Sequence, residues 1–282
     1  MVIQEADLSG EVQGRILRPE RHSGLGVLVI TGSSGRVDVD RARLFAQRGA
    51  VSLAQRWWGG PGQEPGINEV PIERFLQGVD QLQAEGCDRV AIIGSSYGAV
   101  AALLAATRDM RIDVVIAESP SHVVWQCSGV GRDGSAWPPR SSHTWGGVPL
   151  PYMTWDPRVW PPAGTVNPAY RPMHELSLRT FAEDIEAASI PVEAARADII
   201  LVAGGADALW PSAASAHAIA ERLRRHGKEV MLVEHPAAGH SICLPGEPYL
   251  AQGPDRNWGG EPAADRALGA EAWDVIVHRL ML

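Results

Sequence analysis

AIIGSSYGAVAALLAAT, residues 91–107, runs from a short apolar stretch ending at Gly94, through a turn of small residues, into an Ala/Leu-rich segment beginning at Gly98. The order is strand, sharp turn, helix. Gly94, Ser96 and Gly98 fit the G-x-S-x-G spacing of a nucleophile elbow, in which a serine is held in a strained backbone conformation that small neighbours make room for. Such a turn presents the Ser96 hydroxyl above the edge of a sheet. It also puts the backbone N–H of Tyr97 at a helix N-terminus, where unpaired donors and the helix dipole favour a developing oxyanion. Ser95, one residue earlier, is expected to be structural.

Upstream of this turn, Leu25–Ile30 (LGVLVI) is an apolar run of strand length that breaks into the loop TGSSG at 31–35, ahead of a helical stretch at 38–48. The loop has neither the lysine of a P-loop nor G-x-G-x-x-G spacing, which argues against a phosphate cradle. A loop after an early strand can instead supply the second oxyanion donor, with Ser33 the first choice and Ser34 the second. Val51–Ala54 reads as the next strand, followed by the loop QRWWGGPG at 55–62, and residues 71–85 as a helix with apolar positions three and four apart. Alternation within Glu11–Leu17 suggests an edge strand or hairpin.

Downstream, Ile112–Ala117 is a further strand, after which turn formers dominate. Residues 122–189 read as a lid inserted after the strand that follows the nucleophile helix, leaving 1–121 and 190–282 as the core. Helical character returns only at 174–188. Trp125, Trp145, Trp155 and Trp160 fall in this insertion and are candidates to bind substrate. His122, His143 and His174 lie there too, without metal-ligand spacing. Asp198–Ala203 (DIILVA) and Val230–Val233 are the last strands, with helices expected at 211–225 and 267–282, and no assignment for 245–261. Strand and helix alternate, as in a mostly parallel, doubly wound α/β sheet.

A serine hydroxyl needs a base to take its proton, and the base needs a carboxylate to fix its tautomer and stabilise its cation. Ser96, Asp207 and His240 occur in that order, each just after a predicted strand, so all three are expected at the carboxyl edge of one sheet. Asp198 starts its strand, at the wrong end, and Asp184 lies in the insertion. His235 is nearer the last strand than His240, but His240 follows a glycine that frees its loop.

The chain has 282 residues, 45% of them apolar, which allows one large core. Its net charge of −8 argues against nucleic acid as a partner. Cys87, Cys127 and Cys243 are scattered and odd in number, so neither a disulfide framework nor a metal centre is expected. With no signal-like N-terminus and no apolar run of about 18 residues, a cytoplasmic protein away from membranes is expected.

The blocks GSSYGA, ESPSHVVWQ (118–126), SSHTWGGVPLPY (141–152), GGADALWPS (204–212) and HPAAGHSICLP (235–245) together resemble the C-terminal catalytic domain shared by acyl-CoA thioesterases and bile acid-CoA:amino acid N-acyltransferases. The resemblance spans roughly residues 22–250. It implies an α/β-hydrolase fold without a cofactor, and triad roles for Ser96, Asp207 and His240 in acting on acyl thioesters, either CoA-linked or on an acyl carrier protein. Members of the mammalian type place a β-sandwich domain before this one, where about twenty residues precede the first predicted strand here, and the amino acid acyltransferases use cysteine as nucleophile. Serine tilts the expectation toward hydrolysis. An ester or lactone hydrolase, or an acyltransferase or cyclase, would use the same triad, and a binding protein that has lost catalysis would have no need of it. Arg56, Arg140, Arg158 and Arg171 are candidate cations for a CoA or carrier ligand.

Overall fold

The computed structural model describes residues 2–162, 164–249 and 255–282. The chain opens with strands β1 (Ile3–Ser9) and β2 (Gln13–Pro19), then β3 (Leu25–Ile30), helix α1 (Val39–Ala46) and β4 (Val51–Arg56). A two-residue strand, β5 (Val70–Pro71), precedes α2 (Glu73–Ala84), β6 (Arg89–Ser95), α3 (Tyr97–Ala106) and β7 (Val114–Glu118). After the short strands β8 (His143–Trp145) and β9 (Val148–Pro149) come α4 (Arg171–Thr180) and α5 (Ile185–Ala188). The chain closes with β10 (Asp198–Gly204), α6 (Ser212–Arg225), β11 (Met231–His235) and α7 (Pro262–Leu280).

Eight strands form one sheet in the order β1-β2-β4-β3-β6-β7-β10-β11. From β4 to β11 every neighbouring pair is parallel, whereas β1 and β2 form an antiparallel hairpin that pairs antiparallel with β4. The central strands are apolar on both faces because both are covered. In β3, Leu28 and Ile30 belong to a core shared with Phe75 and Val79 of α2 and every residue of α3 except Gly98. Leu25, Val27 and Val29 face the opposite way, into a core with Phe45 of α1 and Leu268 and Ile276 of α7. α3 is buried along its whole length, which its Ala/Leu composition permits.

Residues 122–189 are more ordered than their turn-rich sequence suggests. β8 pairs with β5 and β9 in a small three-stranded sheet, and Val123, Trp125, Met153 and Ala188 join the core around α3. The helix expected at 174–188 is two helices, because the backbone of Phe181 leaves the helical region at φ −112°, ψ 42°. α2 starts at Glu73 because Val70 and Pro71 pair with His143 and Thr144, and α7 starts five residues before its expected position, with Pro262 in its first turn. Among the described residues, no helix is long and apolar enough to cross a membrane, and no cluster of three or more His, Cys, Asp or Glu is placed to hold a metal ion.

Candidate active site

Ser96 sits between β6 and α3 at φ 59°, ψ −124°, a left-handed conformation that a non-glycine residue adopts only when its surroundings enforce it. The surroundings are two close backbone approaches. A β-carbon on Gly94 would fall 2.2 Å from the carbonyl oxygen of Gly98, and one on Gly98 would fall 2.6 Å from that of Thr31. Both positions of the motif therefore need glycine, so that α3 can turn sharply back across the ends of β6 and β3.

The loop after β3 passes directly beside this turn. A β-carbon on Gly32 would meet Ser96 Cβ at 2.7 Å and Ser96 Oγ at 3.3 Å, so the chain comes as near to the serine as a backbone can. The peptide that follows is that of Ser33, whose hydroxyl accepts a hydrogen bond from Arg256 Nη1 at 2.9 Å. Tyr97 is the first residue of α3, so its N–H has no acceptor within the helix. Ser34 is exposed.

Asp207 lies on the turn after β10 and is 1% exposed. Its Oδ1 accepts from the backbone N–H groups of Leu209 at 2.8 Å and Trp210 at 3.2 Å, while Oδ2 is 2.7 Å from His240 Nδ1. Arg171 braces the same turn by donating to the carbonyls of Gly205 and Asp207. The His240 loop packs tightly on the end of β10, where a β-carbon on Gly204 would fall 2.2 Å from the carbonyl oxygen of Gly239. His240 is further held through its own backbone: its N–H donates to the Trp258 carbonyl and its carbonyl accepts from Ser119 Oγ at 2.9 Å. With Nδ1 facing a carboxylate, the imidazole is fixed as the Nδ1–H tautomer. Nε2 is then free to accept a proton.

Ser96, Ser33 and His240 line one cavity of about 430 Å³. Its floor is a buried ion cluster. Arg41 of α1 pairs with Glu118 at the end of β7 and, at 2.6 Å, with Glu247, and it donates to the Ile242 carbonyl at 2.9 Å. Burial opposes the charge on Arg41, but Glu118 and Glu247 outweigh it and hold its pKa above the usual value. Burial pushes the Glu118 carboxyl up to about 7, against the pull of Arg41.

The four tryptophans expected to line the site do not line this cavity. Trp125 is 1% exposed, its indole N–H donates to Ser121 Oγ, and its ring lies edge-on to His174 with centroids 4.6 Å apart. Trp155 and Trp160 meet at a tilt of 40°, Trp155 lies edge-on to His174 and Trp160 edge-on to Tyr170, and Trp145 packs under Arg108. This aromatic wall reaches the site through Trp210, 5.8 Å from His240 and 5.4 Å from Tyr97. Clustered tryptophans among turn residues mark a packed wall here because their rings find partners in the fold, His174 and Tyr170 in the same segment and Arg108 outside it. His122, His143 and His174 are held neutral by burial, each with a pKa pushed down to about 4.

Of the four arginines considered, Arg140, Arg158 and Arg171 are tied to Asp133 and Glu69, Asp156, and Glu175 respectively, and none of the four lines the cavity. The arginines that do are Arg36, Arg41 and Arg256. Sequence reasoning also passed over Glu118, Glu247, Ser119, Trp210 and Trp258. Glu118 left a signal: a carboxylate that ends the apolar strand beside the elbow, at the sheet's carboxyl edge.

The profile of the family described as BAAT / acyl-CoA thioester hydrolase C terminal matches residues 70–280. Bile acid-CoA:amino acid N-acyltransferase of Mus musculus is 25% identical over 89% of this chain and 58% of its own length. Acyl-coenzyme A thioesterase 6 of Homo sapiens is 24% identical over 98% of this chain and 64% of its own. The chain thus spans about 60% of the length of these curated relatives. Among solved structures, a dienelactone hydrolase-like promiscuous phosphotriesterase from metagenomic libraries superposes over 100% of this chain and 98% of its own with a TM-score of 0.58 at 16% identity, a likeness of α/β-hydrolase fold.

Proposed function

Because the chain belongs to the BAAT / acyl-CoA thioester hydrolase C-terminal family, we propose that it is a serine hydrolase that cleaves acyl thioesters through a covalent acyl-enzyme. The observation that carries this reading is the buried Asp207–His240 pair at 2.7 Å, with His240 sharing a cavity with a serine on a strained elbow.

Ser96 Oγ attacks the thioester carbonyl carbon as its proton passes to His240 Nε2. The negative charge that develops on the carbonyl oxygen is met by the N–H groups of Tyr97 and Ser33, which need no reorganisation to do so. Asp207 holds the imidazole in its tautomer and stabilises the imidazolium. The C–S bond breaks, His240 returns the proton to the departing thiolate, and the acyl group stays on Ser96 as an ester. Water then attacks that ester with His240 as base. A second oxyanion collapses to free acid, and the proton returns to Ser96.

Both curated relatives carry names that describe acyl-CoA chemistry, which supports a thioester substrate. An oxygen ester on Ser96 is less open to attack by an amine than a cysteine thioester would be, which supports water as the acceptor. Arg256, at the cavity beside Ser33, offers a cation to a phosphorylated leaving group. Steady-state rates on matched pairs, one acyl group presented as its CoA thioester and as its p-nitrophenyl ester, test the reading. A kcat/KM about 100-fold higher for the thioester, about 2.7 kcal/mol of transition-state preference, is expected. An ester cleaved as well or better would move the assignment to a general ester or lactone hydrolase.

A further inference from the structure

β7 ends beside the elbow, and the residue that follows it has an unusual backbone. Ser119 is fully buried and has a φ of 45°, in the left-handed region that glycine enters freely and other residues enter at a cost. A turn that needed only this conformation would be met by glycine without that cost. The side chain kept here is a hydroxyl, and it donates to the carbonyl of His240 at 2.9 Å.

The other polar groups at this point bind the remaining members of the proposed triad. The carbonyl of Glu118, one residue back, accepts from the N–H of Ser96 at 2.9 Å. The carbonyl of Ser119 accepts from the indole Nε1 of Trp210 at 3.0 Å, and the N–H of Trp210 donates to Asp207 Oδ1 at 3.2 Å. The N–H of Ser119 donates to the Val202 carbonyl at 2.8 Å, which fixes it to β10, the strand that leads to Asp207. The end of β7 is thus hydrogen-bonded to the turn of Ser96, the loop of His240 and the turn of Asp207.

These connections differ in what they need from the sequence. Those to Ser96 and Val202 run from backbone to backbone and are open to any side chain. The one to His240 is made by the Ser119 hydroxyl alone. His240 lies on a loop beyond the end of β11 at His235, so cross-links rather than the sheet fix its place. Its peptide is pinned on both sides, the N–H to the Trp258 carbonyl at 2.8 Å and the carbonyl to Ser119. Proton transfer requires the base within hydrogen-bond reach of the Ser96 hydroxyl, and a misplacement of about 1 Å can cost ~100-fold in rate.

Resting on the serine-hydrolase reading of this site, we propose that Ser119 is a positioning residue, whose hydroxyl holds the His240 loop where the imidazole can take the proton of Ser96.

The test compares Ser119→Ala and Ser119→Gly with the wild-type protein and Ser96→Ala. Both Ser119 variants delete the hydroxyl, but glycine also suits a φ of 45° and removes the backbone cost. The measurements are the rate of fluorophosphonate labelling at Ser96, kcat and KM on p-nitrophenyl butanoate, and a thermal melt. Both variants are expected to label about 10- to 100-fold more slowly and to lose kcat by a similar factor. KM should stay within about twofold, because His240 serves acylation and deacylation alike. The glycine variant should melt no lower than the alanine variant. Wild-type labelling and turnover in Ser119→Gly would overturn the proposal, since the hydroxyl would then be dispensable. A loss that appears in KM with kcat unchanged would overturn it too. Either variant suffices if the other does not fold, because the kcat loss at constant KM is read in each. Turnover that survives Ser96→Ala would sink the triad reading itself, whereas Ser96-dependent turnover untouched by the Ser119 substitutions sinks only this inference.

Discussion

Ser96 and Asp207 are each held by backbone rather than by side-chain packing. Ser96 owes its left-handed φ of 59° to two glycines, and Asp207 owes its orientation to the N–H groups of Leu209 and Trp210. Asp207→Asn keeps the Oδ1 acceptor and so keeps the turn, but puts an amide against His240 Nδ1 and favours the wrong tautomer. The expected result is a fall in kcat of about 10³–10⁴-fold with the melting temperature little changed, read from steady-state kinetics beside a thermal melt. A loss below tenfold would remove Asp207 from the proposed triad. The order of Ser96, Asp207 and His240 and the place of each after a strand were legible at this scale because both are sequence properties. Glu118 and Arg41 were not chosen, since a buried charge looks like any surface charge until its partners, 77 residues apart here, are brought together.

At the scale of elements, the site exists because α3 can cross closely over the ends of β6 and β3. Gly98→Ala would drive a β-carbon to within 2.6 Å of the Thr31 carbonyl and 2.8 Å of that of Ile30, both backbone atoms of a central strand and its loop. Overpacking of this kind costs about 1–3 kcal/mol, and it would also shift the Thr31–Ser33 loop. A melting temperature lowered by several degrees together with reduced turnover is expected, and an unaltered melt would contradict the tight elbow. Strands and helices of the sheet were readable because covered parallel strands are continuous apolar runs. Residues 122–189 were not, since β8 and β9 are too short for periodicity to register and take their order from β5, more than seventy residues earlier. Separation in sequence also hid the aromatic wall, whose Trp125 and Trp155 read as pocket lining but pack on His174, which in turn meets Trp210.

For the whole molecule, buried titratable groups set how stability depends on pH. His122, His143 and His174 have pKa values near 4 in the fold, because burial disfavours their charge, against about 6.5 when unfolded. Between those values the unfolded chain binds more protons, so stability is lost as pH falls from 6.5 toward 4. At pH 5 each histidine accounts for a loss of about 2 kcal/mol. Glu118 acts in the opposite sense, because its raised pKa lets the fold bind a proton before the unfolded chain does, and it offsets about one histidine's share. Urea denaturation at pH 7 and pH 5 should therefore show a drop of a few kcal/mol on acidification, whereas a flat or rising stability would contradict the buried, neutral histidines. The proposal that Asp207, His240 and the strained elbow converge on one activated serine is tested by covalent capture, without knowledge of the substrate. The protein would be treated with a fluorophosphonate, digested, and the modified peptide identified by mass spectrometry. The account predicts near-stoichiometric labelling at Ser96, slowed strongly in His240→Ala. An unlabelled Ser96 in folded protein, or labelling confined to another residue, would contradict it.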